Sequence, residues 1–392
     1  MRVVSTSDFL LRWTARLLLL GVGGCVEPYL PEVLDSPTQY LVVDGFINGS
    51  GATRIKLSRS VSLSTTGTPP PEKQARVVIA DDAGRSYPLR ERSAGFYQSD
   101  SLLLPPNQRY QLRITTTGSG STAATYASDL VPLKVTPAID ELSWQLEGDQ
   151  VVVQLSTQDA SAQTRYYRWG VLETWEFHSA YQSFLEYRNG IIQNRITPVY
   201  TCWRTENSTT IRQASTASLS QDALVNHNLL TFSNLAERVK IRYSVLVSEM
   251  AETAEEFAYN ELLRKNTEAV GGVNDPLPVQ LTGNVHRVDN AAEPVLGFVG
   301  AHTVQYKRLF IKRSELPSHN DSEFESPYAT CNLGEENLAE EHIAYPYTLI
   351  FDTPDNVPVD KVGGSVPSGY SGSSRFCVDC RLRGTNVKPA FW

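Results

Sequence analysis

Cysteine is the residue type best placed to do chemistry in this chain, and there are five: Cys25, Cys202, Cys331, Cys377 and Cys380. Cys377-Val378-Asp379-Cys380 has the spacing of a thiol redox pair, but no βαβ pattern precedes it, which speaks against redox catalysis. A four-thiolate zinc site needs a second close pair, and Cys202 and Cys331 are far apart in sequence. In an oxidising compartment an even number of cysteines reads as two disulfides, and four cysteines allow three pairings. Spacing does not choose among them. A bond from Cys202 or Cys331 to the Cys377/Cys380 pair would staple the C-terminal tail to the body.

Cys25 differs from the others in what precedes it. Arg2, Arg12 and Arg16 lead into Leu17-Leu18-Leu19-Leu20-Gly21-Val22, and Gly23-Gly24 stand directly before the cysteine. This is the layout of a signal peptide, and it predicts removal of residues 1–24. Aliphatic Val22 and two small residues ahead of a cysteine resemble the lipobox of bacterial lipoproteins, so the Cys25 thiol is expected to carry a diacylglycerol. A spanning helix needs about 20 uninterrupted apolar residues, and the run here stops at glycines. Each buried acyl methylene contributes roughly 0.8 kcal/mol, so several chains hold a protein on a bilayer. Val26 stands where an aspartate would favour inner-membrane retention, so attachment to the outer membrane is expected, with the periplasmic and extracellular faces both open.

The remaining candidates for chemistry are weaker. The histidines, His178, His227, His286, His302, His319 and His342, include no pair at the spacing of a helical metal site. Gly369-Tyr370-Ser371-Gly372 falls short of a nucleophile elbow. The acidic neighbours Glu255-Glu256, Glu335-Glu336 and Glu340-Glu341 would have to face each other across a sugar to cleave it, and sequence neighbours usually point apart. Asp81-Asp82-Ala83-Gly84 reads as a hairpin turn before it reads as a calcium site. Trp144, Trp169, Trp175 and Trp203, with Tyr166, Tyr167, Tyr181 and Tyr187, are dense enough to stack on sugars or anchor an interface, although core packing explains most of them. No catalytic residue, metal ligand or cofactor is expected.

The elements that must position these residues are strands. The chain has a formal net charge of −8, and −10 without residues 1–24, which hold three Arg and one Asp; either value argues against nucleic acid as a partner. Its length exceeds what one core usually fills, and only 2 Met against 18 Tyr, with abundant Thr, Ser and Val, points to β-structure. Residues 25–38 read as a Pro-punctuated tether. Alternation at period two, as in Tyr110, Leu112 and Ile114 against Arg109, Gln111 and Arg113, predicts an N-terminal β-sandwich over 39–136. Residues 137–392 predict a second β-rich domain, entered through Ile139-Asp140-Glu141-Leu142 as a linker. Its strands include Tyr166–Tyr181, Lys240–Met250, Val295–Phe298 and Val304–Ile311. One helix is expected over about 253–270, because Thr253 and Glu256 make a capping box. The Gly- and Ser-rich residues 361–375 read as a mobile loop. The expected fold is therefore mainly β, with tandem antiparallel β-sandwich domains of immunoglobulin-like or fibronectin-like type and one inserted helix.

The C-terminal stretch Cys377–Trp392, with Cys25-Val26-Glu27-Pro28-Tyr29, Tyr40-Leu41-Val42-Val43-Asp44-Gly45 and Gly297-Phe298-Val299-Gly300-Ala301, resembles the Bacteroidota lipoproteins catalogued as domain of unknown function 4249. The resemblance spans essentially the whole chain after residue 24; a single Gly384 stands where the family shows a doubled glycine. That family has no assigned catalytic activity and no catalytic motif to carry over. Its members are often encoded beside a TonB-dependent outer-membrane receptor. The resemblance thus implies a non-catalytic accessory lipoprotein that partners such a receptor in nutrient uptake. Two readings compete with it: a structural or adhesive cell-envelope protein displaying immunoglobulin-like domains, and a hydrolase whose site is assembled across domains.

Overall fold

The computed structural model describes residues 39–61, 67–117, 123–268, 281, 283–337, 351–363 and 367–392. Cys25, the signal segment, the tether, His342 and Glu340-Glu341 lie outside the described residues. Residues 40–60 and 68–392 make up one compact unit.

The first strands follow the alternation in the sequence. They are β1 (Leu41–Asn48), β2 (Ser50–Arg59), β3 (Arg76–Asp81), β4 (Ser86–Ser93), β5 (Phe96–Leu103), β6 (Arg109–Thr115), β7 (Thr125–Ser128) and the short β8 (Val131–Pro132). In β6, Tyr110, Leu112 and Ile114 are fully buried while Arg109 and Arg113 are exposed. One face is apolar, so the strands close on a shared interior. Antiparallel pairing runs β7-β6-β3-β4-β5-β2-β1 around a core that includes Leu41, Ile55, Ile79, Tyr97 and Tyr126.

The chain leaves this core at Leu133 and enters a second at Ile139. There it forms β9 (Ile139–Glu147), β10 (Gln150–Gln158), β11 (Tyr166–His178), β12 (Leu185–Arg188), β13 (Ile191–Asn194), β14 (Thr201–Asn207), β15 (Arg212–Ser215), β16 (Ala223–Ser233) and β17 (Arg242–Ala251). Helix α1 (Ala254–Glu268) follows, then β18 (Val285–Arg287), β19 (Ala301–His302) and β20 (Val304–Lys312). Sheet β16-β10-β9 and sheet β14-β11-β17-β20, with β15 beside β11, share the core of Val153, Leu155, Trp169, Val171, Val245 and Val247. β18 and β19 return to the first sheet, at β7 and β1. A further sheet, β21-β23-β22, is built from β21 (Gly334–Asn337), β22 (Asn356–Gly363) and β23 (Pro367–Ser374). The short helix α2 (Arg375–Val378) continues from β23.

The fold is mainly β with antiparallel sandwich packing, and α1 is the helix announced by Thr253, whose Oγ1 accepts from the Glu256 N–H at 3.2 Å. Three expectations are corrected. Ile139–Leu142 is not a linker: Ile139 and Leu142 are buried in the second core, and the segment opens β9. Residues 361–375 are not a loop but lie largely in β22 and β23. There Ser371 and Ser373 are buried, and their hydroxyls donate to the Asp360 carbonyl at 3.3 Å and the Asn332 carbonyl at 2.6 Å. Hydroxyls can thus replace apolar groups where a strand faces other backbone. Val295–Phe298 forms only a parallel bridge, Val42 with Leu296, because Gly297 turns the backbone to φ +127° where an added Cβ would lie 2.0 Å from the Val43 carbonyl oxygen.

Candidate ligand cleft

The four cysteines of the body come together in pairs. Cys202 in β14 bonds Cys380, and Cys331 bonds Cys377, each pair with its Cα atoms 5.7 Å apart. The two halves of the Cys-x-x-Cys stretch therefore hold different partners, and neither a redox pair nor a four-thiolate zinc site is formed. Among the described residues no group of three or more His, Cys, Asp or Glu is arranged to hold a metal. Between the two bonds, burial works to raise the Asp379 pKa. Hydrogen bonds from Arg381, through Nε and Nη2 at 2.7 Å each, outweigh it and hold the carboxyl below its usual range.

Cys331, of the second cross-link, lines a cleft of about 740 Å³, within the roughly 300–1,000 Å³ typical of small-ligand sites. The end of β11 and the approach to β14 supply a stacked pair, the rings of His178 and Tyr200, 4.3 Å apart and inclined by 26°. Tyr181 adds a third ring; its hydroxyl donates to the Cys331 carbonyl at 2.9 Å, and its N–H to the Cys377 carbonyl at 3.1 Å. Burial pushes the His178 pKa down and the Tyr200 pKa up, so both rings are neutral near pH 7.

The cleft's charges are largely paired. Glu237 accepts both Nη groups of Arg383, at 2.7 and 2.6 Å, and that guanidinium lies over the Phe177 and Tyr328 rings at 4.9 and 5.0 Å. This fork is the strong form of an ion pair. Arg313 pairs with Asp321 at 3.0 Å and covers the Phe324 ring at 4.5 Å. The Lys240 ammonium donates to the Asp321 carbonyl at 3.0 Å.

Of the aromatics singled out in the sequence, Tyr181 lines this cleft. Tyr167 and Trp169 are buried in the second core, and Trp175 is buried between Arg204 and Arg238, whose guanidinium carbons stand 5.6 and 5.5 Å from its ring. The acidic neighbours Glu255 and Glu256 point apart: Glu255 is exposed and Glu256 is buried. Glu256 and His302 face each other at 3.5 Å, with both side chains buried, and Arg168 joins them by pairing with Glu252 and, at 3.6 Å, with Glu256. His286 and His319 pair with Asp129 and Glu323. Ser371 is buried in β23 and bonded to backbone, which is no place for a nucleophile.

Two buried acids escape a reading by residue type. Glu173 and Glu249 fall on the core face of β11 and β17, in step with Trp169 and Val171 and with Tyr243, Val245 and Val247. Period two carries that signal, since each stands where an apolar residue belongs. Two segments that carried the family resemblance also meet, Gly297 lying against the Val43 carbonyl, and bonds at their edges hold them: Val43 N–H donates to the Leu296 carbonyl and Ile47 N–H to the Gly300 carbonyl, both at 2.8 Å. At the C-terminal end, Trp203 and Thr385 exchange backbone bonds of 2.8 and 2.9 Å, and a Cβ at Gly384 would meet the Trp203 carbonyl oxygen at 2.5 Å.

No curated protein sequence matches this chain. Solved structures similar to it include the FN1-FN3 domains of chicken CNTN1, 14% identical over 54% of this chain and 62% of that one, with a TM-score of 0.20. A two fibronectin type-III domain segment from chicken tenascin is 10% identical over 54% of this chain and 89% of that one, with a TM-score of 0.16. A DUF4785 family protein from Legionella pneumophila is 8% identical over 53% and 51%, with a TM-score of 0.18. At such scores the architecture rests on this chain's own strand pairing. Residues 26–308 match the family model described as Domain of unknown function (DUF4249), which is more than half of the chain, and the chain belongs to that family.

Proposed function

We propose that the protein is an outer-membrane-anchored lipoprotein that acts as a non-catalytic accessory or binding partner of a TonB-dependent receptor in nutrient uptake. The observation that carries this reading is the pairing of Cys202 with Cys380 and of Cys331 with Cys377. Two stable disulfides belong to an oxidising space, and they account for every cysteine except Cys25. The one thiol left over is the one that follows Gly23-Gly24. A diacylglycerol there would tether a rigid, cross-linked body at the membrane, with the cleft and loops free to meet a receptor or its cargo.

Metabolic labelling with an alkyne fatty acid, followed by fractionation, tests the anchor. The wild type is expected to carry label and sediment with outer membranes, and Cys25→Ala to carry none and leave the membrane fraction. An unlabelled wild type would overturn the anchor.

A further inference from the structure

We propose that the cleft lined by disulfide-bonded Cys331 binds a neutral saccharide, stacked on the Tyr200–His178 pair. The inference goes beyond the receptor-accessory reading and does not depend on it.

Three observations carry it. First, His178 and Tyr200 present an aromatic surface within the cleft, stacked at 4.3 Å, with Tyr181 beside them. Such rings offer an apolar face to the C–H face of a sugar while a polar tip stays available for its hydroxyls. Second, the charges balance. Lys240 and Arg313 line the cleft with Glu237, Asp321 and Glu325, and Arg383, bonded to Glu237, brings the local sum to zero. Two of the three carboxylates, Glu237 and Asp321, already pair with Arg383 and Arg313, so a charged ligand gains little net attraction from the cleft, and the formal net charge of −8 disfavours a polyanion further. Third, Asp321, Glu325 and Ser326 are exposed at this cleft and supply carboxylate and hydroxyl groups to hydroxylated ligands. A purely apolar ligand would strip water from those groups without replacing its hydrogen bonds.

The cleft is also pre-formed. Tyr181 is fixed at both ends by carbonyls of disulfide-bonded Cys331 and Cys377, and Glu237 is clamped by Arg383. A site whose walls are already ordered loses less entropy on binding.

Saturation-transfer NMR on the disulfide-intact protein, with cellohexaose, xylohexaose, mannohexaose, chitohexaose and the anionic hexagalacturonate as probes, tests the proposal. At least one neutral oligosaccharide is expected to bind at about 1 mM or tighter. Tyr200→Ala is expected to weaken it by about tenfold and Tyr200→Phe to leave it nearly unchanged. Tyr306→Ala, at an exposed ring outside the cleft, is expected to have no effect. Should Tyr200→Ala fail to fold, Ser326→Trp tests the same site by filling it and is expected to abolish binding. Binding of none of the neutral probes, tighter binding of hexagalacturonate, or full binding by a folded Tyr200→Ala or Ser326→Trp variant would overturn the proposal.

Discussion

Trp169 donates its indole N–H to Glu249 Oε2 at 2.8 Å across the β11–β17 ladder, deep in the second core. Thr157 donates its hydroxyl to the other oxygen at 2.8 Å. Burial is the main cause that pushes the Glu249 pKa up from 4.5 to about 7, with the charge of Asp140 adding to it; the two donors work against the rise. The folded pKa is therefore above the unfolded one, so this carboxyl favours folding fully below pH 4.5 and loses that contribution as pH rises through about 7. The loss amounts to about 3 kcal/mol. Glu249→Gln removes the titrating proton: its carbonyl oxygen can still accept from Trp169, and its amide N–H can donate to the Thr157 hydroxyl in place of the bond that hydroxyl now donates. Urea midpoints measured from pH 4 to 8 are expected to fall for the wild type relative to Glu249→Gln. A constant difference between the two would contradict the assignment.

Gly297 is required by close approach as well as by backbone angle. Its φ is +127°, and a Cβ there would lie 2.0 Å from the Val43 carbonyl oxygen. Gly84, with φ +84°, has nothing within 4 Å of its own added Cβ. Gly84→Ala is expected to cost about 1 kcal/mol, from the backbone alone, and Gly297→Ala roughly 3 kcal/mol or more. Equal costs in denaturant unfolding would show that the contact between β1 and the Gly297–Ala301 segment does not carry the strain.

The two disulfides close loops of different length, with separations of 178 residues for Cys202–Cys380 and 46 for Cys331–Cys377. On the chain-entropy model, loss of the longer cross-link destabilises the fold by about 1 kcal/mol more than loss of the shorter. Unfolding of the Cys202→Ser/Cys380→Ser and Cys331→Ser/Cys377→Ser variants measures this. A larger loss from the second pair would mean that native packing around Cys331 outweighs loop closure.

Much of this fold is written locally in the sequence. The alternation of β6 and the cap at Thr253 are visible because period and hydrogen-bond chemistry act over a few residues. The reading fails where distant partners decide. Ile139 and Leu142 look like part of a linker until the second core receives them, and Ser371 and Ser373 look like loop residues until β22 and the Asn332 carbonyl satisfy them. Glu249 was legible in principle, one step further along the alternation that marks Tyr243, Val245 and Val247 as core, but its acidic type hides it. The cleft was not legible. His178, Tyr200, Glu237, Arg313 and Asp321 come from segments far apart in sequence, and the pairing of β11 with β14 and β17, and of β17 with β20, brings them to one place.

The receptor partnership has the most direct test in purification of the tagged, membrane-extracted protein in mild detergent, with its companions identified by mass spectrometry. A TonB-dependent β-barrel receptor is expected to co-purify with the wild type. Recovery of the protein with no such receptor would contradict the accessory function.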